Sequence, residues 1–171
     1  MLAPDYYYES VFLIPYEKLY NDGIRGIIFD IDNTLTAFNQ HNPPAKITAL
    51  IRRLGRMGFK LCLVTNNTNK RLNTFNKSLG IDGIANAAKP MKRSFRQAMK
   101  TMGTTPDSTV IVGDQLFTDI WGGRRMGLTT ILVKPITYRD FVWVYAKRAI
   151  ERRILRKYFE SLPLEQRPKK W

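Results

Sequence analysis

The stretch RGIIFDIDNTLT, residues 25–36, decides the fold. Gly26 to Phe29 form a short apolar run that ends in two aspartates, Asp30 and Asp32, with one isoleucine between them. A brief apolar run of this kind, bounded by polar residues, reads as a strand buried on both faces. Residues two apart in an extended segment point the same way, so both carboxylates leave the strand end together. Moving outward, PAKITALIRRLGRMG (44–58) carries Ile47, Leu50, Ile51 and Leu54 at helical spacing. Pro43 and Pro44 are tolerated before or at the first turn, and Gly58 closes the helix. KLCLVT (60–65) reads as a second buried strand, and NKRLNTFNKSLG (69–80) as a helix ending on Gly80. GIANA (83–87) is a weak third strand before the helix MKRSFRQAMKTMG (91–103). STVIVGD (108–114) is a fourth strand, DIWGGRRMG (119–127) a short helix and TTILV (129–133) a fifth strand. Strands alternating with helices predict an α/β fold, a mostly parallel sheet with helices on both faces.

At 171 residues the chain suits one domain, 1–171, with a basic amphipathic C-terminal segment, 137–171, appended to it. A content of 44% hydrophobic and 25% charged residues excludes a disordered chain. The formal charge of +14 calls for a polyanionic partner, either an anionic membrane surface or nucleic acid. The single cysteine, Cys62, excludes an intramolecular disulfide, fits a reducing compartment and reads as a core thiol. No apolar run approaches the ~20 residues that span a bilayer. The N-terminal MLAPDYYYES lacks the basic start and apolar stretch of a signal peptide, so a cytoplasmic protein is expected.

In open α/β sheets ligands bind outside the carboxyl ends of the strands. Asp30 and Asp32, Thr65 and Asn66, Lys89, and Asp114 and Asp119 all fall at such ends. Clustered carboxylates oppose one another and raise each other's pKa, which implies a cation. An all-oxygen donor set with few protein carboxylates suits Mg²⁺, and Mg²⁺ favours phosphate as a further ligand. Thr65, neighbouring backbone amides and Lys89 supply donors and positive charge for phosphate oxygens. The sole histidine, His41, lies in a loop outside these motifs and is expected to face solvent. With neither histidine nor cysteine in the cluster, a carboxylate is the nucleophile.

FDIDNTLT resembles motif I, DxDx[TV], of the haloacid dehalogenase (HAD) superfamily of phosphotransferases. LVTNN is similar to motif II, AKP to motif III and VGDQLFTD to motif IV, in the order and spacing of that superfamily. More narrowly, GIRGIIFDIDNTL, VTNN, AKP and GDQLFTDIWGG, with YYYESVFLIPYEKL before them, resemble the YqeG family of small class III HAD phosphatases. The resemblance implies a HAD-like Rossmannoid three-layer sandwich and a Mg²⁺-dependent phosphomonoester hydrolase. It makes Asp30 the nucleophile that becomes an aspartyl phosphate, and Asp32 the acid that protonates the leaving alcohol and then activates water. Asp30, the main-chain carbonyl of Asp32, and Asp114 would hold the metal, with Asp119 binding it directly or through water. Thr65 and the Asn66 amide would bind the phosphoryl oxygens, Lys89 would offset charge at the nucleophile, and Asn33 and Thr34 would shape the loop.

HAD enzymes usually take specificity from an inserted cap. Here about ten residues separate Leu35 from the next helix, and one helix and one strand lie between VTNN and AKP, so a capless, open site is expected. Such a site suits a large or membrane-bound phosphate ester. The wider group includes organellar phosphatidylglycerophosphate phosphatases, which implies an anionic phospholipid substrate at the inner face of the membrane. Residues 134–171 hold eleven Lys or Arg against four acidic residues. Within them, Trp143, Ala146, Ile150, Ile154 and Tyr158 share one helical face and Arg148, Arg152 and Arg156 another, the pattern of a membrane-surface helix or of a helix packed on the domain. The other readings are a nucleotide or polynucleotide phosphatase, and a ribosome- or RNA-associated HAD-fold binding protein.

Overall fold

The computed structural model describes residues 2–137 and 142–161; within the last helix, the side chains of 142–149 and of 152 are not described. Six strands form one sheet: β1 (Tyr6–Tyr8), β2 (Gly26–Phe29), β3 (Lys60–Val64), β4 (Asp82–Ile84), β5 (Thr109–Gly113) and β6 (Thr129–Val133). The spatial order is β1-β6-β5-β2-β3-β4, and each adjacent pair is parallel. The helices are α1 (Tyr16–Asn21), α2 (Ala45–Arg56), α3 (Asn69–Asn76), α4 (Lys92–Met102), α5 (Trp121–Arg124) and α6 (Val142–Ser161).

The pleat of β2 shows how the layers are made. Ile27 and Phe29 pack with Leu61, Leu63, Val110 and Val112 against α1, α2 and α3. Ile28 between them points to the other face, where it joins Cys62, Ile111 and the α4 residues Phe95, Ala98 and Met99. Strands buried on both sides need apolar residues at every position, which is why the GIIF, LCLV and VIV runs are unbroken. A third cluster, Leu116, Ile120 and Leu132 with Leu155 and Phe159, seats α6 on that second face, against the Leu116–Ile120 turn and β6.

Several elements differ from the expectation, among them α1, which the sequence reading did not mark. The sheet gains an edge strand, β1, where the sequence offered only an aromatic segment. Its pairing is set by Asp5, whose carboxylate accepts from both the N–H and the hydroxyl of Thr130, each at 2.8 Å. α3 ends at Asn76, short of Gly80, because the Asn76 side chain donates to the Ile81 carbonyl at 2.6 Å and turns the chain there. β4 spans Asp82–Ile84 and stops before Asn86 and Ala88, which take φ of 48° and 51°.

Among the described side chains of α6 the buried ones are Glu151, Leu155 and Phe159, whereas Ile150 is 57% exposed. The apolar face is therefore rotated from the stripe through Ile150, Ile154 and Tyr158. Trp143, Ala146, Arg148 and Arg152 belong to side chains outside the described set, as do residues 162–171 of the tail. Nothing is inserted between β2 and α2 beyond residues 30–44, and α3 alone lies between β3 and β4. The site thus has no cap among the described residues, and none of their helices is long and apolar enough to cross a membrane.

Candidate active site

The chain runs β2 to β3 to β4 toward one edge of the sheet and β5 to β6 toward the other, so its direction reverses between the neighbours β2 and β5. A crevice opens outside the strand ends at such a switch point. Asp30 follows β2 directly and Asp114 follows β5, and the Asp30 N–H donates to Val112 O at 3.0 Å, which locks the two ends together. Ligand oxygens of Asp30, Asp114 and Asp119 lie within 4.8 Å of one another, all three buried. Thr34 reaches the first two, its hydroxyl 3.3 Å from Asp30 Oδ2 and 3.4 Å from Asp114 Oδ1.

Lys89 is the counter-charge. Its Nζ lies 2.6 Å from Asp30 Oδ1 and 2.6 Å from Asp119 Oδ1, with its side chain 2% exposed. Burial alone would push this ammonium down, but Asp119 and Asp30 together hold it above the usual lysine range. The Asp30 carboxyl is pushed up to about 6, chiefly by burial, in spite of Lys89. Asp119 Oδ2 also accepts the Gln115 N–H at 3.1 Å. A β-carbon on Gly113 would overlap the Asp119 carboxylate, so the glycine before Asp114 is required by close approach.

The loop that delivers Lys89 is held by Asn66, whose side chain accepts the Lys89 N–H at 2.7 Å and donates to the Lys89 carbonyl at 3.2 Å. The Asn66 side-chain amide is thus committed to Lys89. Thr65, 1% exposed, follows β3 and accepts the Asn67 N–H on its hydroxyl at 3.0 Å. Nearby Ala88 sits at φ 51°, a conformation rare for a residue with a β-carbon and concentrated at functional sites.

Asp32 stands apart from the buried acidic cluster. Its Oδ1 accepts from Arg71 Nε at 3.1 Å and Nη2 at 2.8 Å, and its Oδ2 from Asn67 Nδ2 at 3.3 Å. Arg71 also donates from Nη1 to the His41 carbonyl at 2.9 Å, while the His41 side chain is exposed. One carboxylate is therefore bound to a lysine inside the cluster and the other to an arginine beside it. That separation lets two aspartates two residues apart serve different chemistry.

A family profile described as HAD-hydrolase-like matches residues 86–139. "Probable phosphatase YqeG" of Bacillus subtilis (strain 168) is 38% identical over 152 residues, which cover 89% of this chain and 88% of that one. The chain belongs to the YqeG family of HAD-superfamily phosphatases. "Phosphatidylglycerophosphate phosphatase 1, chloroplastic/mitochondrial" of Arabidopsis thaliana is 25% identical over 158 residues, 86% of this chain but 45% of its own length. Among solved structures, the HAD-hydrolase YfnB of Bacillus subtilis bound to magnesium aligns with a TM-score of 0.55 at 17% identity, over 70% of this chain and 91% of that one. At that identity the likeness shows the fold.

In this YqeG-family site the residues read from the strand ends converge: Asp30, Asp114, Asp119 and Lys89 are in one cluster, with Thr65 and Asn66 on its border. Their donor set fits a hard divalent cation. Asp30 Oδ2 and Asp114 Oδ1 both converge on the Thr34 hydroxyl, on oxygens other than the Asp30 Oδ1 that Lys89 occupies, and the raised carboxyl of Asp30 is a cost a cation would offset. Both Asp119 oxygens already have protein partners, so Asp119 orients Lys89. Sequence reasoning passed over Arg71, Asn67 and the contacts of Thr34. The available signal was Thr68, which caps α3 by accepting the Arg71 N–H at 3.3 Å and so places Arg71 in the first turn, beside the strand end.

Proposed function

We propose that this phosphatase hydrolyses phosphomonoesters through an aspartyl phosphate on Asp30, with Mg²⁺, and that its substrate is phosphatidylglycerophosphate at the cytoplasmic face of the membrane. The observation that carries the reaction is the division of the two carboxylates, Asp30 against Lys89 and Asp32 against Arg71. In the first step a carboxylate oxygen of Asp30 attacks phosphorus in line as the bond to the leaving oxygen breaks, and Asp32 gives that oxygen its proton. In the second step Asp32 takes a proton from water as the water oxygen attacks the same phosphorus and frees Asp30. Thr65 and the nearby backbone amides hold the phosphoryl oxygens, and Lys89 neutralises charge around Asp30. Held by Asp30, Asp114 and the main-chain carbonyl of Asp32, with Asp119 close by, Mg²⁺ would supply the positive charge that lets two anions approach.

The open, capless rim favours a substrate that covers the site itself, and the Arabidopsis relative acts by name on phosphatidylglycerophosphate. The test is phosphate release from that lipid in vesicles, beside a soluble phosphomonoester and a phosphorylated oligonucleotide, in Mg²⁺ and in EDTA, with Asp30→Asn as the blank. We expect Mg²⁺-dependent preference for the lipid and no turnover by Asp30→Asn. Turnover retained in a folded Asp30→Asn variant would overturn the nucleophile. Equal or faster turnover of the oligonucleotide would make the enzyme a polynucleotide phosphatase, the reading that the +14 charge also admits.

A further inference from the structure

We infer that the membrane-docking surface is the catalytic rim itself, the loops after the carboxyl ends of the strands, and not the basic face of α6; the inference rests on the lipid reading above. In an all-parallel sheet these loops all lie on one side. Of the eight large hydrophobic side chains exposed among the described residues, six belong to segments that follow strands: Phe12 and Leu13 after β1, Phe38 after β2, Met91 after β4, Trp121 after β5 and Ile136 after β6. Leu13 is 62% and Met91 63% exposed, on a surface where single apolar residues would otherwise be scattered.

Charge on the same loops says what covers them. Lys92 and Arg93 open α4 directly after the β4 loop, and Lys134 follows β6. Arg125 lies with its guanidinium carbon 5.1 Å above the Trp121 ring and donates to Pro90 O at 3.5 Å, so the loop delivering Lys89 carries an aromatic and a cation on its outer side. Arg93 is exposed at the start of α4, and Lys46, at the start of α2, sits 5.4 Å over the Phe12 ring. Apart from partly exposed Asp32, which Arg71 neutralises, the acidic side chain these loops turn to solvent is Glu9. Between Phe12, Lys46 and Lys134 the rim opens a groove of about 660 Å³, and its wall includes Thr34, whose hydroxyl is 3.3 Å from Asp30. Apolar side chains ringed by cations around an open phosphate site match an anionic lipid surface. Aliphatic Leu13, Met91 and Ile136 can enter acyl chains but cannot stack on bases.

α6 is a poor alternative in its described half, because Leu155 and Phe159 are buried against Leu116, Ile120 and Leu132. In that half, the apolar side chains Leu155 and Phe159 are already covered by the protein.

The experiment is cosedimentation of the full chain with vesicles of phosphatidylcholine alone or doped with phosphatidylglycerol, across a salt series, beside turnover of p-nitrophenyl phosphate. Binding to the doped vesicles is expected to fall with salt. Lys92→Gln with Arg93→Gln is expected to weaken it about fivefold per charge. Leu13→Gln with Met91→Gln is expected to weaken it at low salt and at high salt alike. All four substitutions should leave p-nitrophenyl phosphate turnover unchanged, which shows that the variants are folded, and Arg153→Glu with Arg156→Glu on α6 should leave vesicle binding near that of the parent. Rim variants that bind like the parent, an α6 pair that abolishes binding, or a parent that binds RNA and not vesicles would each overturn the docking face. A parent that binds through the rim but releases no phosphate from the lipid would sink the substrate reading and leave the docking face standing.

Discussion

A guanidinium with 7% side-chain exposure must place its N–H groups on the protein, and Arg71 places them on Asp32 and on the His41 carbonyl. The forked contact fixes Asp32 Oδ1 and leaves Oδ2, with one long bond to Asn67, as the oxygen available to carry a proton. Arg71→Met is expected to lower turnover of an alkyl phosphomonoester about 100-fold with little change in KM, the size of a misdirected general acid. With p-nitrophenyl phosphate, whose leaving group needs no proton, the same variant should show a burst of one nitrophenolate per site followed by slow hydrolysis. Arg71→Lys should recover only part of the loss, since an ammonium cannot reproduce the fork. Equal losses on both substrates without a burst would reduce Arg71 to a fold-stabilising residue. Cys62 gives a second test at this scale. Burial, and then the Asp82 carboxylate, push its thiol up to about 12. A folded-state pKa above the unfolded one means that the neutral thiol's contribution to stability is complete below the usual thiol range and is lost as pH rises toward 12. Native protein at pH 8 should therefore resist a thiol-reactive dye until it is denatured; fast stoichiometric labelling in buffer would contradict the buried assignment.

At the scale of elements, legibility followed burial. β2, β3, β5 and β6 read directly because strands covered on both faces run apolar through their centres, as IIF, LCLV, VIV and ILV. β4 is mostly exposed, so hydrophobicity could not fix its ends, and its true limit comes from the positive φ of Asn86 and Ala88. β1 is three tyrosines at the sheet edge whose pairing depends on Asp5 and Thr130, residues 125 apart in the chain, a contact no local pattern reports. The turn at Leu116–Ile120 is wider than an α-helix, with Asp119 N–H and Ile120 N–H both donating to Gln115 O. The sequence suggested a helix from Asp119 on but not this turn, which forms because the Asp119 carboxylate is drawn back over Gly113 toward Lys89. The candidate site was legible for a related reason. Its residues stand at strand ends, where alternating elements place them without side-chain detail. Arg71 was not, because an arginine on a short polar helix reads as a solvated face until the fold shows Asp32 opposite it.

Across the whole molecule, the apolar side of α6 and the turn that carries Asp119 are parts of one structure. Leu155 and Phe159 are buried against Leu116 and Ile120, the residues that open and close the turn carrying Asp119, and Glu151 accepts the Phe117 N–H at 3.4 Å. Phe159 also meets Tyr7 of β1 edge-on, with ring centroids 4.9 Å apart, so the C-terminal helix closes over the N-terminal strand as well. A helix bound this way should influence catalysis on any substrate, whereas a lipid tether would influence only the lipid. Leu155→Ala removes a side chain 2% exposed and is expected to cost about 2–5 kcal/mol, a fall in Tm of roughly 5–15 °C for a chain of this length. It should also reduce turnover of a soluble phosphomonoester well below the melting range, because Asp119 loses the packing that holds it against Lys89. Ile150→Ala, at a position 57% exposed on the same helix, should change neither. Thermal melts and p-nitrophenyl phosphate kinetics on the two variants decide the matter. A Leu155→Ala protein that melts lower yet keeps full turnover at low temperature would show that α6 stabilises the fold without holding the Asp119 turn.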